Sequence, residues 1–343
     1  MDRKRFDEVD VLKAFGIIGV IIIHILTRNL TNPISNFLWN NLQFFVISFV
    51  FCSGFVLASI YQNSFSSVSK TLAWYKKRLI RLLIPFFIYL ISHYALWIIF
   101  PNIFNGLGLV QNLDFFTKSA LLIGGTNYNF LVVLFVELTL LFPIFTTFFK
   151  RKKFLFLYLL LSGIITFIFT FFGGSYPTYR FTMWIPWSLV LIFAMYVAIK
   201  GKSEKVAKNI DKIYLLFGVI FFILFLGLYF YNLTIDKSLI FYNHKYPPDF
   251  YYLFFGLSLT CFALIIGRLK FWQNKILKSI YLFISRNSYS LFFIHFIILD
   301  AVLIFTNYNI MLKNSLIQFS IIFSLSILII IIINKVKSII EIS

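Results

Sequence analysis

The chain has 343 residues, 60% hydrophobic and only 13% charged, with 47 Phe, a mean hydropathy of +0.90 and a formal charge of +19. Soluble domains run at about 45–50% apolar and about 25% charged, so this sequence has too little polar residue to cover a water-facing surface, which excludes a soluble globular fold. Its two cysteines, Cys52 and Cys261, both fall in apolar runs and give no basis for a disulfide framework or a metal site.

Apolar runs of about 20 residues recur along the whole length, each long enough to cross a hydrocarbon core of about 30 Å as a helix. They are continuously apolar rather than alternating, which predicts helices and not barrel strands. The predicted spans, in chain order, are 10–27, 38–61, 82–100, 130–149, 154–172, 183–199, 213–231, 250–267, 288–305 and 315–333. Segment 115–125 is apolar but too short to span and reads as re-entrant or interfacial. No polar linker divides the chain and no internal repeat is evident, which weighs against a repeat-built transporter. The expectation is all-α: a polytopic integral membrane bundle of about ten transmembrane helices, forming a single domain over residues 1–343.

Charge gives an orientation. With the N-terminus inside, the inner segments hold Arg3 to Arg5, then Lys70, Lys76, Lys77, Arg78 and Arg81, then Lys150 to Lys153. They continue with the run from Lys200 to Lys212, with Arg268, Lys270, Lys275 and Lys278, and with Lys335 and Lys337. The outer segments keep only Arg28, Lys118, Arg180, Lys237, Lys245 and Lys313. This asymmetry follows the positive-inside rule and predicts both termini in the cytoplasm. The positive charge then faces anionic lipid, so the bilayer is the expected partner and nucleic acid is not. The basic-then-apolar N-terminus carries Asp10 and Lys13 and lacks a small-residue cleavage site, which predicts a retained helix rather than a signal peptide.

Ionisable groups at membrane depth are costly and are functional candidates by default. In the first helix Asp10 and Lys13 are three apart and can pair on one face. Lys13 and His24 are eleven apart, about 20° past three full turns, so the three form one stripe with His24 about 16 Å beyond Lys13. A structural reading stands beside this one: His24 as a helix-packing hydrogen-bonding group, Asp10 and Lys13 as interfacial anchors. In the ninth span Ser288 and His295 are seven apart and share a face, with Tyr289 alongside Ser288. Asp300, five residues beyond His295, faces elsewhere and reads as a packing group, as does His93; His244 reads as a solvated loop residue. Glu137 is the lone carboxylate of the fourth helix. Arg78 and Arg81, beside Lys76 and Lys77 and ahead of Pro85, present two guanidinium forks on one face, a geometry suited to phosphate but also to ordinary interfacial anchoring.

Four motifs in order carry a resemblance. They are Asp10-x-x-Lys13 followed after ten residues by His24, Ser53-Gly54-Phe55, Arg78-x-x-Arg81-x-x-x-Pro85, and Ser288-Tyr289-Ser290 followed after four residues by His295. Over essentially the whole chain this order resembles the acyltransferase 3 family of ten-helix membrane proteins. Within it, Tyr128 to Val133 and His295 to Asp300 are similar to the branch of the intercellular-adhesin (poly-N-acetylglucosamine) operon membrane protein. The resemblance implies transfer of an acyl group, acetyl or succinyl from its CoA thioester, to a hydroxyl of an extracellular cell-surface polysaccharide, in the cytoplasmic membrane of a bacterium and without a metal. It implies His24 as the catalytic histidine with Lys13 and Asp10 beside it, and Arg78, Arg81, Lys77 and Ser53 as contacts of acyl-CoA. Glu137, Ser288, Tyr289 and His295 are the candidate substrate-binding groups, and other glycan-synthesis proteins are candidate partners. Lys13 stands where most members carry Arg, Asn129 where many carry Trp, and Cys52 where a small or aliphatic residue is usual. The chemistry fits: a sugar hydroxyl needs a positioned base, and His24 serves as that base or as a transiently acylated nucleophile, with Lys13 steadying the oxyanion or the pantetheine arm. The competing reading is an exporter of poly-N-acetylglucosamine-type polysaccharide, its aromatic side chains stacking on sugar rings.

Overall fold

In hydrocarbon every backbone N–H and C=O must find a partner inside its own segment, and this chain meets that demand with helix. The computed structural model describes residues 6–102, 112–125, 129–173, 179–201, 209–306 and 314–340. Among them ten helical segments are long and apolar enough to cross a membrane. In chain order the helices are α1 (Asp7–Leu26), α2 (Pro33–Asn41), α3 (Phe44–Tyr61), α4 (Val68–Ile99), α5 (Leu113–Ala120) and α6 (Phe130–Lys150). They continue as α7 (Lys152–Phe172), α8 (Trp184–Lys200), α9 (Ile210–Thr234), α10 (Phe250–Gly267), α11 (Lys275–Thr306) and α12 (Ser315–Ile340).

The spans agree with the sequence reading, but hydropathy misplaces several of their ends. The run 38–61 is broken in two, α2 and α3, at Leu42 and Gln43. Its cause is local: Asn41 Nδ2 donates to the Phe37 carbonyl (2.8 Å) and Gln43 Nε2 to the Trp39 carbonyl (3.1 Å), so side-chain amides compete for the acceptors that close α2. Pro33 opens α2 and Asn32 Oδ1 caps it, accepting from the Ile34 and Ser35 N–H groups (2.9 and 3.1 Å). The third span begins far earlier than 82, at Val68 behind the Ser67 cap, because Lys and Arg are good helix formers and the basic turn simply continues the helix. The ninth likewise begins at Lys275, which places Ser288 in mid-helix. Segment 115–125 forms the short α5 and a turn in which Leu122 and Gly125 take positive φ. Tyr128, part of the narrower resemblance, lies outside the described residues, as do Arg3 to Arg5, Lys202, Lys205, Lys208 and Lys313.

α1 is the hub, packed on α3, α10, α11 and α12, while α3 packs on α8 and α10 and α4 packs on α6 and α11. Two-thirds of the spanning window of α1 and of α11 is buried (67% each), against 17% for α7 and α9. The outer helices turn side chains such as Phe156, Ile164, Leu216 and Ile223 outward. In lipid such a face carries no penalty, and close packing rather than water exclusion joins the helices. Gly54 shows how close that packing is. A Cβ there would lie 2.8 Å from Leu191 Cδ1 and 3.0 Å from the Leu191 carbonyl oxygen of α8, so the glycine of the Ser-Gly-Phe motif is what lets α3 and α8 meet.

The two ends of the bundle differ in chemistry. At one, Arg268 binds Glu8 (3.3 Å) and Asp211 (2.5 Å), and Lys278 binds Asp7 (2.8 Å), tying together the starts of α1, α9 and α11 and the end of α10. Lys76 and Lys77, within the first three turns of α4, and Lys150 to Lys153, at the junction of α6 and α7, add to the charge of this end. At the other, the connection between α9 and α10 folds over α2 and α6: Trp39 packs on Tyr242, and Phe130 on Tyr246. His244 is buried here, contrary to the expectation of a solvated residue, because its Nδ1 meets Asp249 (2.6 Å) and its Nε2 meets the Ser238 carbonyl (2.7 Å).

Replacing Gly54 by Leu forces the α3 and α8 backbones apart and is expected to destabilise the bundle by about 1–3 kcal/mol. Thermal unfolding of the detergent-solubilised chain checks this; an unchanged midpoint would contradict the close approach.

Candidate active site

Two neighbouring chambers share part of their lining. One, of about 150 Å³, is lined by Lys13, Ser53, Arg78, Arg81, Arg286, Ser288 and Tyr289 among apolar neighbours. The other, of about 360 Å³, shares Lys13, Arg78, Arg81 and Arg286 with it and adds Asp10, Lys77 and Trp74. α4 supplies Arg78 and Arg81 one helical turn apart, α1 supplies Lys13, and α11 supplies Arg286, Ser288 and Tyr289. Ser53 Oγ accepts from an Arg78 terminal nitrogen (3.2 Å), so the motif serine aims the guanidinium, while Arg78 Nε is buried without a hydrogen-bond partner. Tyr289 donates to the Leu82 carbonyl (2.8 Å), pinning α11 to α4 beside the chamber.

A third chamber, of about 30 Å³, lies further along α1 and is lined by His24, Gln43, Phe130 and Lys245. It has room for one or two waters. Phe49, Leu131 and Phe292 are walls common to it and to the 150 Å³ chamber, so three apolar side chains separate His24 from the cluster of cations. α1 thus carries Lys13 on one side of this partition and His24 on the other, as the stripe read from the sequence requires.

His24 does not stand by itself. Its Nδ1 lies 3.0 Å from His295 Nε2, with the two rings parallel within 8°. His295 Nδ1 meets the Leu291 carbonyl at 3.0 Å, and a carbonyl only accepts, so that nitrogen carries the hydrogen. In a neutral pair His295 Nε2 is then the acceptor, His24 Nδ1 the donor, and the lone pair of His24 sits on Nε2. The second histidine fixes the tautomer and ring orientation that a general base needs.

The remaining candidates separate. Asp10 lines the larger basic chamber, and among the described residues no ion pair joins it to Lys13; it accepts from Ser285 Oγ instead (2.5 Å). Glu137 lines none of these chambers. It is about 200° around α6 from Phe135, off the stripe of Leu131, Phe135, Leu138 and Phe142, and its Oε2 is buried without a hydrogen-bond partner. Asp300 and His93, each read as a bland packing group, are bonded to one another (Nδ1 to Oδ2, 2.6 Å) and join α11 to α4. Two residues of the chambers escaped the sequence reading. Arg286 falls just ahead of the ninth span as hydropathy draws it (288–305), although the helix begins at Lys275, and nothing in the sequence distinguishes Lys245 from other loop lysines.

The family model described as an acyltransferase domain, of the acyltransferase 3 family, matches residues 6–335. No curated protein and no solved structure matches the chain. With nearly its whole length covered by that one domain and ten apolar helices to carry it, the chain belongs to the acyltransferase 3 family and is a multi-pass membrane acyltransferase.

Proposed function

We propose that the protein takes an acyl group, acetyl or succinyl, from cytoplasmic acyl-CoA and delivers it to a hydroxyl of an extracellular cell-surface polysaccharide. The basic end then faces the cytoplasm, with both termini there, and the membrane is the bacterial cytoplasmic membrane. The observation that carries the reading is the pairing of two unlike chambers across one thin partition: Lys13, Arg78, Arg81 and Arg286 on one side, the His24–His295 pair on the other. Charge distribution supports the orientation, since the basic turns cluster at the end that holds the cations.

Each side suits a different part of the substrate pair. CoA carries its phosphates far from its thioester, joined by the long pantetheine arm. Guanidinium forks bind phosphate oxygens in pairs, and the unpartnered Arg78 Nε–H is an unused donor at the chamber wall. The pantetheine arm is slender enough to pass Phe49, Leu131 and Phe292 once they turn aside. A sugar hydroxyl reaching His24 from the opposite end gives its proton to Nε2 as its oxygen attacks the acyl carbon. Lys13 stays with the donor on this reading, and Ser288 and Tyr289 line the donor side rather than the acceptor side.

The similarity to the adhesin-operon branch makes a poly-N-acetylglucosamine-type glycan the first acceptor to try. Export of the polymer is the less favoured function, because a conduit for sugar has no need of paired arginines at one end or of a cation–histidine stripe along α1.

Two outcomes test the proposal. Mass analysis of the surface glycan is expected to show ester groups in wild-type cells and none in cells lacking the protein or carrying His24→Ala; full esterification with His24→Ala would refute it, and unmodified polymer trapped inside deletion cells would favour export. In assays of the purified protein, Arg78→Ala or Arg81→Ala is expected to raise KM for acetyl-CoA by about 10–100-fold, the worth of one charge-assisted hydrogen bond of about 1.5–3 kcal/mol. An unaltered KM would remove the arginines from the donor site.

A further inference from the structure

We propose that Lys245 is a catalytic residue of the His24 chamber, its ammonium stabilising the oxyanion that forms on the acyl carbonyl as the acceptor hydroxyl attacks. This rests on the acyl-transfer reading above and adds a residue to it.

The geometry points to the role. Lys245 follows a short 3-10 helix, Phe241–His244, and is folded back under the loop until it is only 5% exposed. It lines the same 30 Å³ chamber as His24. Its Nζ donates to Gln43 Oε1 (3.2 Å) and lies 5.1 Å from the ring centre of Phe130 and 5.3 Å from that of Tyr246. Gln43 is itself held by the break between α2 and α3, where its Nε2 donates to Trp39 and its carbonyl accepts from Tyr252 Oη (2.8 Å). The lysine is therefore built in, and the helix break that hydropathy does not reveal is what turns its hydrogen-bond partner inward.

No anion offsets that charge. Among the described residues no carboxylate lies within ion-pair distance of Nζ. Asp249, the acid of the same loop, is occupied by His244 (2.6 Å) and by the Tyr252 N–H (3.1 Å). The other titratable groups near Lys245 and its ring partner Tyr246 add no negative charge at neutral pH: His24 from α1 and Arg28 just beyond it, His295 from α11, Tyr242 and Tyr246 from the loop, Tyr252 from α10, and Tyr179 and Arg180, the latter donating to Asn129. Burying an unpaired cation is expensive, and aromatic faces and one amide oxygen compensate for only part of it. Burial pushes the Lys245 ammonium down to about 7. Such a cation is most stabilising when a negative charge develops next to it, which is the condition of an oxyanion hole.

In the step, the acceptor oxygen bonds to the acyl carbon, its proton passes to His24 Nε2, and the carbonyl π pair becomes the oxyanion beside Lys245. Collapse re-forms the C=O bond and breaks the C–S bond, and the departing CoA thiolate takes the proton back from His24. The products are ester and free thiol, with charge and protons conserved. Because the charged form of Lys245 is required, activity is lost as pH rises through about 7, the value to which its burial brings it.

The test uses the full chain purified in lipid nanodiscs, with labelled acetyl-CoA as donor and a β-linked N-acetylglucosamine oligomer as acceptor. Lys245→Met is expected to lower kcat by about 100-fold, the usual loss for one oxyanion-hole donor, with KM for acetyl-CoA unchanged. Lys245→Arg, whose charge does not titrate, is expected to retain activity at alkaline pH where the wild type declines. That shift in pH profile is a readout that a merely structural lysine would not give, and it stands even if Lys245→Met folds poorly. Wild-type kcat in Lys245→Met, or an alkaline limb unmoved in Lys245→Arg, would overturn the role while leaving acyl transfer intact. A wild-type protein that leaves every labelled acetyl group on CoA would instead remove the acyl-transfer reading, and this role with it.

Discussion

A charge or polar group inside an apolar bundle must be bonded to a neighbour or face a wet chamber, and the arrangement of this protein follows from that constraint. Most intramembrane polar groups obey it by pairing across helices: His24 with His295, His93 with Asp300, Asp10 with Ser285, and Ser48 with Thr260. Lys13, Arg78, Arg81 and Arg286 obey it differently, by converging on shared chambers. Two unit charges 4 Å apart still repel by about 4 kcal/mol at an effective dielectric of 20. Four cations against the one carboxylate of Asp10 leave these chambers net positive, and the acyl-CoA donor proposed above would answer that charge with its phosphates.

The same constraint explains why α1 is the hub. It is buried on most sides by α3, α10, α11 and α12, and like α11, which carries Arg286 and His295, it reaches both sides of the partition. Lys13 and His24, about three turns apart on one face, line the chambers on its two sides. Around it, the Ser-Gly-Phe motif has a physical division of labour. Ser53 aims Arg78, Gly54 lets α8 close on α3, and Phe55 packs edge-on against Phe6 at the start of α1. Gly54 is therefore a packing residue, and its neighbour Ser53 is the one that lines the cation chamber.

Span number and the α1 stripe were legible in the sequence because both rest on short-range periodicity, which hydropathy and the helical repeat report directly. Helix ends were harder. The break at Leu42 and Gln43 sits inside a continuous apolar run, and the early start of α4 is hidden under Lys76, Lys77, Arg78 and Arg81, which lower hydropathy without lowering helix propensity. Pairings distant in sequence were not legible at all. Nothing local links His93 to Asp300, 207 residues apart, or Lys245 to Gln43, 202 apart, so both lysine and carboxylate were read by their surroundings in sequence and not in space. Conversely, Glu137 looked functional for being a lone acid in its helix, yet the turn of α6 carries it off the chamber stripe.

The central claim is that donor and acceptor meet from opposite ends of one bundle. It is tested most directly in sealed proteoliposomes with a single protein orientation, basic end inward, loaded with labelled acetyl-CoA and bathed in an external glycan acceptor. The account predicts labelled ester on the external glycan while the CoA stays inside. Ester formed only when donor and acceptor share one compartment would contradict it.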